Sequence, residues 1–141
     1  MKLNTKRHPY LFNLPAYESG FGGCLTVLEN SKIGLFCAKR IYFISNVNFN
    51  QVRGNHAHKK LRQIFVVASG SFQIKLENHR QKFEFEMDAT NKALYVPNGY
   101  WRTLKNFSND GVCVVLASEE YDTEDYIHNK DDFLNWSVEN N

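Results

Sequence analysis

His56 and His58 stand two residues apart in Gly54-Asn55-His56-Ala57-His58, just ahead of the apolar run Gln63-Ile64-Phe65-Val66-Val67-Ala68 that ends in Ser69-Gly70. On an extended strand residues i and i+2 share a face. Both imidazoles therefore project together, roughly 6–7 Å apart along the strand. Aimed into a barrel lumen, such a pair is either a pair of metal ligands or an acid/base pair. The choice between those two readings largely decides what the chain does.

The elements that must carry the pair have a period of two. Ser71 to Glu77 alternates, with Phe72, Ile74 and Leu76 on one face, and Gln81 to Met87 repeats the pattern with Phe83, Phe85 and Met87. Asn78-His79-Arg80 between them reads as a hairpin turn. Cys24 to Leu28, Arg40 to Ser45, Ala93 to Val96 and Val112 to Ala117 add further strand candidates. Helical signals come only near the end, where Thr123-Glu124-Asp125 and Asp131 to Trp136 place acidic residues in a first turn. The pattern predicts an all-β protein: an antiparallel double-sheet jelly roll of the cupin kind, with a short C-terminal helix. The last residues, Val138 to Asn141, are expected to fray.

The bulk properties narrow the function. A chain of 141 residues suits one domain spanning 1–141, and 43% hydrophobic content with 11 Phe and 7 Tyr can fill one core. A formal net charge of +2 gives no general case for binding nucleic acid or a membrane surface. No apolar run approaches the length of a membrane span, and the N-terminus lacks a signal-like apolar stretch. Three cysteines without a CxxC pattern fit a reducing, cytoplasmic setting.

The metal reading can be weighed against metal-binding cupins, which this chain resembles in spacing. Their first motif places a glutamate a few residues after HxH, and their second reads PxGxxH. Here Gln63 follows His56-Ala57-His58, and Pro97-Asn98-Gly99-Tyr100-Trp101-Arg102 ends in arginine. An amide oxygen is a weak neutral ligand, and a guanidinium has no acceptor and stays protonated. Arg102 would also repel a divalent ion by several kcal/mol at short range. Two histidines fall short of the three protein ligands usual in a catalytic centre. The lumen is therefore expected to hold a polar organic ligand, contacted by Gln63 and Arg102, with no metal and no cofactor.

Lys39-Arg40-Ile41-Tyr42-Phe43 and Arg53 to Lys60 resemble the nucleotide-sugar 3,4-ketoisomerases, cupin enzymes acting on dTDP-4-dehydro-6-deoxyglucose. Trp101 with its following residue, Val115 to Ser118, and Tyr121-Asp122-Thr123-Glu124-Asp125-Tyr126-Ile127 carry the same resemblance. It implies a homodimer whose ligand is a dTDP-linked 4-keto-6-deoxy sugar. It also implies a shift of the ketone from C4 to C3 through an enediolate, in deoxyamino-sugar biosynthesis. His56 and His58 would move the protons. Tyr42, Arg102 or one histidine would stabilise the enediolate. Arg40, Arg53, Lys59 and Lys60 are candidates for the diphosphate, and Tyr42 or Trp101 for stacking on the ligand. The residue after the tryptophan tends to be histidine in members making the galacto product and arginine in those making the gluco product, so Arg102 implies gluco. His128 stands where the family often has arginine. His8, His79 and His128 read as surface residues, and the acidic run at 122–125 as a helix start. A non-catalytic cupin that only binds a sugar nucleotide is the alternative. Retention of both histidines favours the enzyme, because a pure binder needs no acid/base pair.

Overall fold

The structure is a computed structural model and describes residues 7–141. Twelve strands, two α-helices and one short 3-10 turn at Thr123–Asp125 are present among them. In chain order they are β1 (Tyr10–Asn13), β2 (Ala16–Glu18), β3 (Cys24–Thr26), α1 (Asn30–Ile33), β4 (Arg40–Ile44), β5 (Arg53–His58), β6 (Gln63–Ser69), β7 (Phe72–Glu77), β8 (Lys82–Met87), β9 (Lys92–Val96), β10 (Trp101–Lys105), β11 (Val112–Ala117), β12 (Tyr126–Ile127) and α2 (Lys130–Asn140). Two five-stranded sheets face each other, in the orders β1-β9-β6-β11-β4 and β12-β5-β10-β7-β8, with every pairing antiparallel. This is the jelly roll expected from the alternation.

The alternating residues do what their period dictates. Phe72, Ile74 and Leu76 of β7 point inward, and Phe65, Val67, Leu94, Val96, Leu104 and Val115 meet them from neighbouring and facing strands. Each such side chain, fully buried, contributes about 1.5–3 kcal/mol. The outer face of the first sheet is apolar as well. Ile64, Ala93, Tyr95 and Leu116 are covered there by Leu28, Ile33, Leu35 and Phe36 from the segment around α1.

The strand expected over Cys24 to Leu28 is present as β3 and ends at Thr26. It pairs only with β2, and this hairpin leaves Tyr17, Phe21 and Leu25 exposed. One expectation needs correction. The C-terminal residues expected to fray instead continue α2 to Asn140. Phe133 and Ser137 on that helix are fully buried, and the Asn141 amide hydrogen-bonds the Ser137 hydroxyl.

α2 braces the back of the strands that carry the histidines. It packs Phe133 against Trp101 and against Ala57 and Ile127. Lys130 places its ammonium 4.8 Å from the Trp101 ring centre and pairs with Glu77. None of the described helices is long and apolar enough to cross a membrane.

Candidate active site

The two facing sheets leave a cavity of about 280 Å³ at one end of the barrel. Arg40, Tyr42 and Ile44 enter it from β4, Gly54 and His56 from β5, and Arg102 and Leu104 from β10, with Tyr121 and Tyr126 closing one side. β4 belongs to one sheet and β5 and β10 to the other. A ring lying in the cavity would thus meet Tyr42 and His56 from opposing walls. A second, larger groove near α1 is lined by Tyr10, Phe12, Leu14, Leu28 and Ile33. Its charged lining residues are Glu29 and Lys32, which pair with each other, so it offers no group poised for proton transfer.

Local geometry fixes both imidazoles. His56 Nδ1 lies 3.0 Å from the Gly54 carbonyl oxygen, which can only accept, so Nδ1 carries the hydrogen and Nε2 keeps the lone pair. His58 Nδ1 lies 3.0 Å from Asp125 Oδ2 and donates to it. Asp125 is held in turn by the backbone N–H groups of Lys60 (2.6 Å) and Leu61 (3.3 Å). The rings of His56 and His58 meet edge-to-face at 4.9 Å, and Tyr126 packs against both. His58 is 1% exposed and does not line the cavity, whereas His56 is half-buried and does.

The electrostatics follow from burial and from one cation. Arg102 is 1% exposed, and among the described residues its side chain makes one hydrogen bond, from NH2 to the Tyr100 carbonyl at 3.0 Å. Its Nε and NH1 have no partner among the described residues. Burial lowers its pKa to about 10, which still leaves it charged at neutral pH. Burial, and then the Arg102 charge, push His56 down to about 4. The same two causes, with His56 and Arg40 adding to them, hold His58 well below the ordinary imidazole range. Its contact with Asp125 is therefore an N–H donated by a neutral ring, not an ion pair. Burial raises Tyr42 to about 12, so its phenol stays protonated.

The strand pairing that presents these groups is irregular. Arg102 lies opposite His56, but the register then shifts so that Thr103 faces Gly54 and Leu104 faces Arg53. Gly54 has φ +88°, and a Cβ there would lie 2.6 Å from the Arg102 carbonyl oxygen, so only glycine permits the approach of β5 to β10. Asn55 beside it adopts the left-handed region at φ 54°, which asparagine tolerates better than most residues.

Residues 7–138 match the family described as FdtA: WxcM-like, C-terminal. A relative in Aneurinibacillus thermoaerophilus, TDP-4-oxo-6-deoxy-alpha-D-glucose-3,4-oxoisomerase, is 39% identical over 111 residues, covering 79% of this chain and 80% of the relative. The chain belongs to this family. Solved members of it have the same architecture. The sugar 3,4-ketoisomerase of Thermoanaerobacterium thermosaccharolyticum, in complex with TDP, superposes with a TM-score of 0.88 at 33% identity, covering 94% of this chain and 96% of that one. The TDP-quinovose 3,4-ketoisomerase of Campylobacter jejuni does so with a TM-score of 0.85 at 37% identity, covering 92% and 99%.

Within this ketoisomerase the sequence-derived candidates divide. His56, Tyr42, Arg40 and Arg102 line the cavity. Arg53 is exposed, does not line the cavity, and pairs across the strands with cavity-lining Leu104. His58 and Gln63 stand behind the lining, and Gln63 donates from Nε2 to the Tyr42 hydroxyl at 2.6 Å. Trp101 requires correction. It lies on the outer face of β10, under Phe133, because neighbours on a strand face opposite sides and Arg102 takes the inner one. Lys59 is corrected too: its ammonium caps the Glu124 carbonyl at 3.0 Å, outside the cavity.

Three features escaped the sequence reading. Asp125 is more than part of a helix start, since it anchors His58 across 67 positions. Tyr126 packs on both imidazoles. His128 stacks on Tyr126 at 5.3 Å and 12° and stands 6.1 Å from the His56 ring. The i, i+2 spacing of Tyr126 and His128 was the available signal for that pair.

Proposed function

We propose that this ketoisomerase moves the ketone of dTDP-4-dehydro-6-deoxyglucose from C4 to C3, within one cupin unit spanning 1–141. Arg102 carries this reading: a fully buried guanidinium with two unpartnered donors, in a cavity that also holds a neutral imidazole and a protonated phenol. Each buried donor left unpaired costs about 1–3 kcal/mol. Such a cost is sustained when the donors meet an oxygen of the ligand.

In this scheme His56 Nε2 takes the C3 proton. The C–H electrons form the C3–C4 double bond, and the C4 carbonyl oxygen becomes an oxyanion facing Arg102 Nε and NH1. The C3 hydroxyl proton passes to the C4 oxygen. The C3 oxyanion then closes to the new carbonyl while Tyr42 gives its proton to C4. The proton on His56 returns through solvent to the Tyr42 phenolate, so no net proton is gained or lost. No step draws on a metal, and the Arg102 charge beside His56 opposes a divalent cation.

Base and acid stand on opposing walls here, which is the arrangement inversion between the two carbons requires. The product is accordingly of gluco configuration. The C. jejuni relative at 37% identity is named for TDP-quinovose, a gluco sugar. The deciding experiment incubates the protein with dTDP-4-dehydro-6-deoxyglucose after exhaustive chelation and follows it by proton NMR. The expected result is a 3-keto product with a large, diaxial H4–H5 coupling. A small coupling overturns the gluco product, and no conversion without an added divalent ion overturns the metal-free scheme.

Arg40 and Arg53 are proposed as the diphosphate contacts. The Arg40 guanidinium is held between Tyr42 (5.4 Å) and Tyr121 (5.6 Å) with its Nε buried and unpartnered. Replacing Arg40 with methionine is expected to raise KM about tenfold or more while changing kcat far less. Replacing Arg53 acts in the same direction through a more exposed contact. Unchanged KM in both variants overturns the assignment.

The chain is further proposed to act as a cytoplasmic homodimer. Its three cysteines are free, and edge strand β4 exposes Ile41 and Phe43 on its outer face, as the hairpin exposes Tyr17 and Phe21. Sedimentation of a monomer at micromolar concentration would contradict the dimer.

A further inference from the structure

The sequence pattern suggested that Gln63 contacts the ligand, yet its side chain is fully buried and absent from the cavity wall. On β6 it continues the inward row of Phe65 and Val67, where an apolar side chain would be the ordinary choice. Ala117 on the intervening strand β11 lies directly opposite both Gln63 and Arg40. A small residue at that crossing leaves room for the amide to reach over β11 to Tyr42. Nε2 donates to the Tyr42 oxygen at 2.6 Å, while Oε1 has no partner. The donor end of the amide is the one that meets Tyr42.

We propose that Gln63 is a positioning residue that turns the Tyr42 hydroxyl toward the sugar. A phenol has one hydrogen and an oxygen that can accept. With the amide N–H occupying a lone pair, the phenol hydrogen points away from Nε2 and is left for the ligand in the cavity. The same N–H stabilises the phenolate that remains once Tyr42 has given up its proton. Gln63 thus acts through Tyr42 and touches no substrate atom. This rests on the role given to Tyr42 above.

Gln63→Glu and Gln63→Leu test it, assayed beside the unaltered chain with dTDP-4-dehydro-6-deoxyglucose in heavy water. A carboxylate at 63 only accepts, so it captures the phenol hydrogen and reverses the bond. Gln63→Glu is expected to lower kcat roughly 10²-fold, in the range of a lost general acid, with KM changed less than about threefold. Gln63→Leu removes the donor without capturing the hydrogen and should lower kcat by roughly tenfold. In both variants deuterium still enters at C3, because His56 is untouched, so the ratio of C3 exchange to product formation rises. In a Tyr42→Phe background neither substitution should lower kcat further. Turnover of Gln63→Glu equal to the unaltered chain overturns the proposal, since the amide would then be accepting from the phenol. A parallel fall of exchange and turnover in Gln63→Leu also overturns it, because that is the mark of a merely structural residue. If the unaltered chain gives no product, the ketoisomerase reading itself falls, and this proposal with it.

Discussion

His56→Asn is expected to lower kcat by roughly 10²–10⁴-fold with KM nearly unchanged, because it removes the base from the cavity wall while keeping a polar side chain of similar bulk. The matching change at His58 has a different signature. His58 is buried behind the wall and bonded to Asp125, so His58→Asn leaves a buried carboxylate short of one donor. It should therefore lower the melting temperature more than it lowers kcat. The pH profile separates the two roles. The base must be unprotonated to work, and His56 is held at about 4 by burial and Arg102. The acid limb of kcat/KM should then fall as pH drops through about 4, well below the roughly 6.5 of a free imidazole. Turnover that is flat between pH 5 and 8 is the expected result. A limb near 6.5 would show that His56 is not the base, and a fully active His56→Asn variant would do the same.

Arg102→Met is expected to cost roughly 10²–10³-fold in kcat, the loss that follows removal of an oxyanion donor. The same change should leave the melting temperature equal or higher. Two donors of this buried cation lack partners among the described residues, and exchanging buried charged groups for apolar ones is often neutral or stabilising by about 1–4 kcal/mol. Kinetics and calorimetry on one variant therefore decide its role. An active but strongly destabilised Arg102→Met would make Arg102 a structural cation and remove the chief support for the enediolate scheme.

The long, half-buried strands were legible in the sequence because their burial alternates. β7 and β8, each with three inward apolar residues, were read within a residue or two of their observed limits. β1 and β2 were not: in Tyr10–Asn13 the exposed Leu11 is as apolar as the half-buried Tyr10 and Phe12 beside it, so the alternation of burial is not written in the residue types, and Ala16–Glu18 is exposed throughout. The histidine pair and its shared face were legible because they depend only on the i, i+2 rule. Trp101 and Arg102 could have been told apart by that same rule, as adjacent strand residues cannot both enter one lumen. The Asp125 anchor and the Gln63–Tyr42 bond were beyond reach. They join positions 67 and 21 residues apart, and only the registers of β12 on β5 and of β6 and β4 on β11 bring them together.

The register shift between β5 and β10 bears on how far relatives of this chain can drift. Arg53 and His56 are an odd number of residues apart, so a regular strand would send one of them outside the barrel. The Gly54-Asn55 irregularity absorbs that mismatch and keeps Arg53 opposite Leu104 while His56 stays opposite Arg102. A deletion at Asn55 would therefore do more than shorten a strand: it would turn either His56 or Arg53 to the opposite face of β5. Sequence changes in this stretch that alter its length would change which residues of β5 share a face with His56.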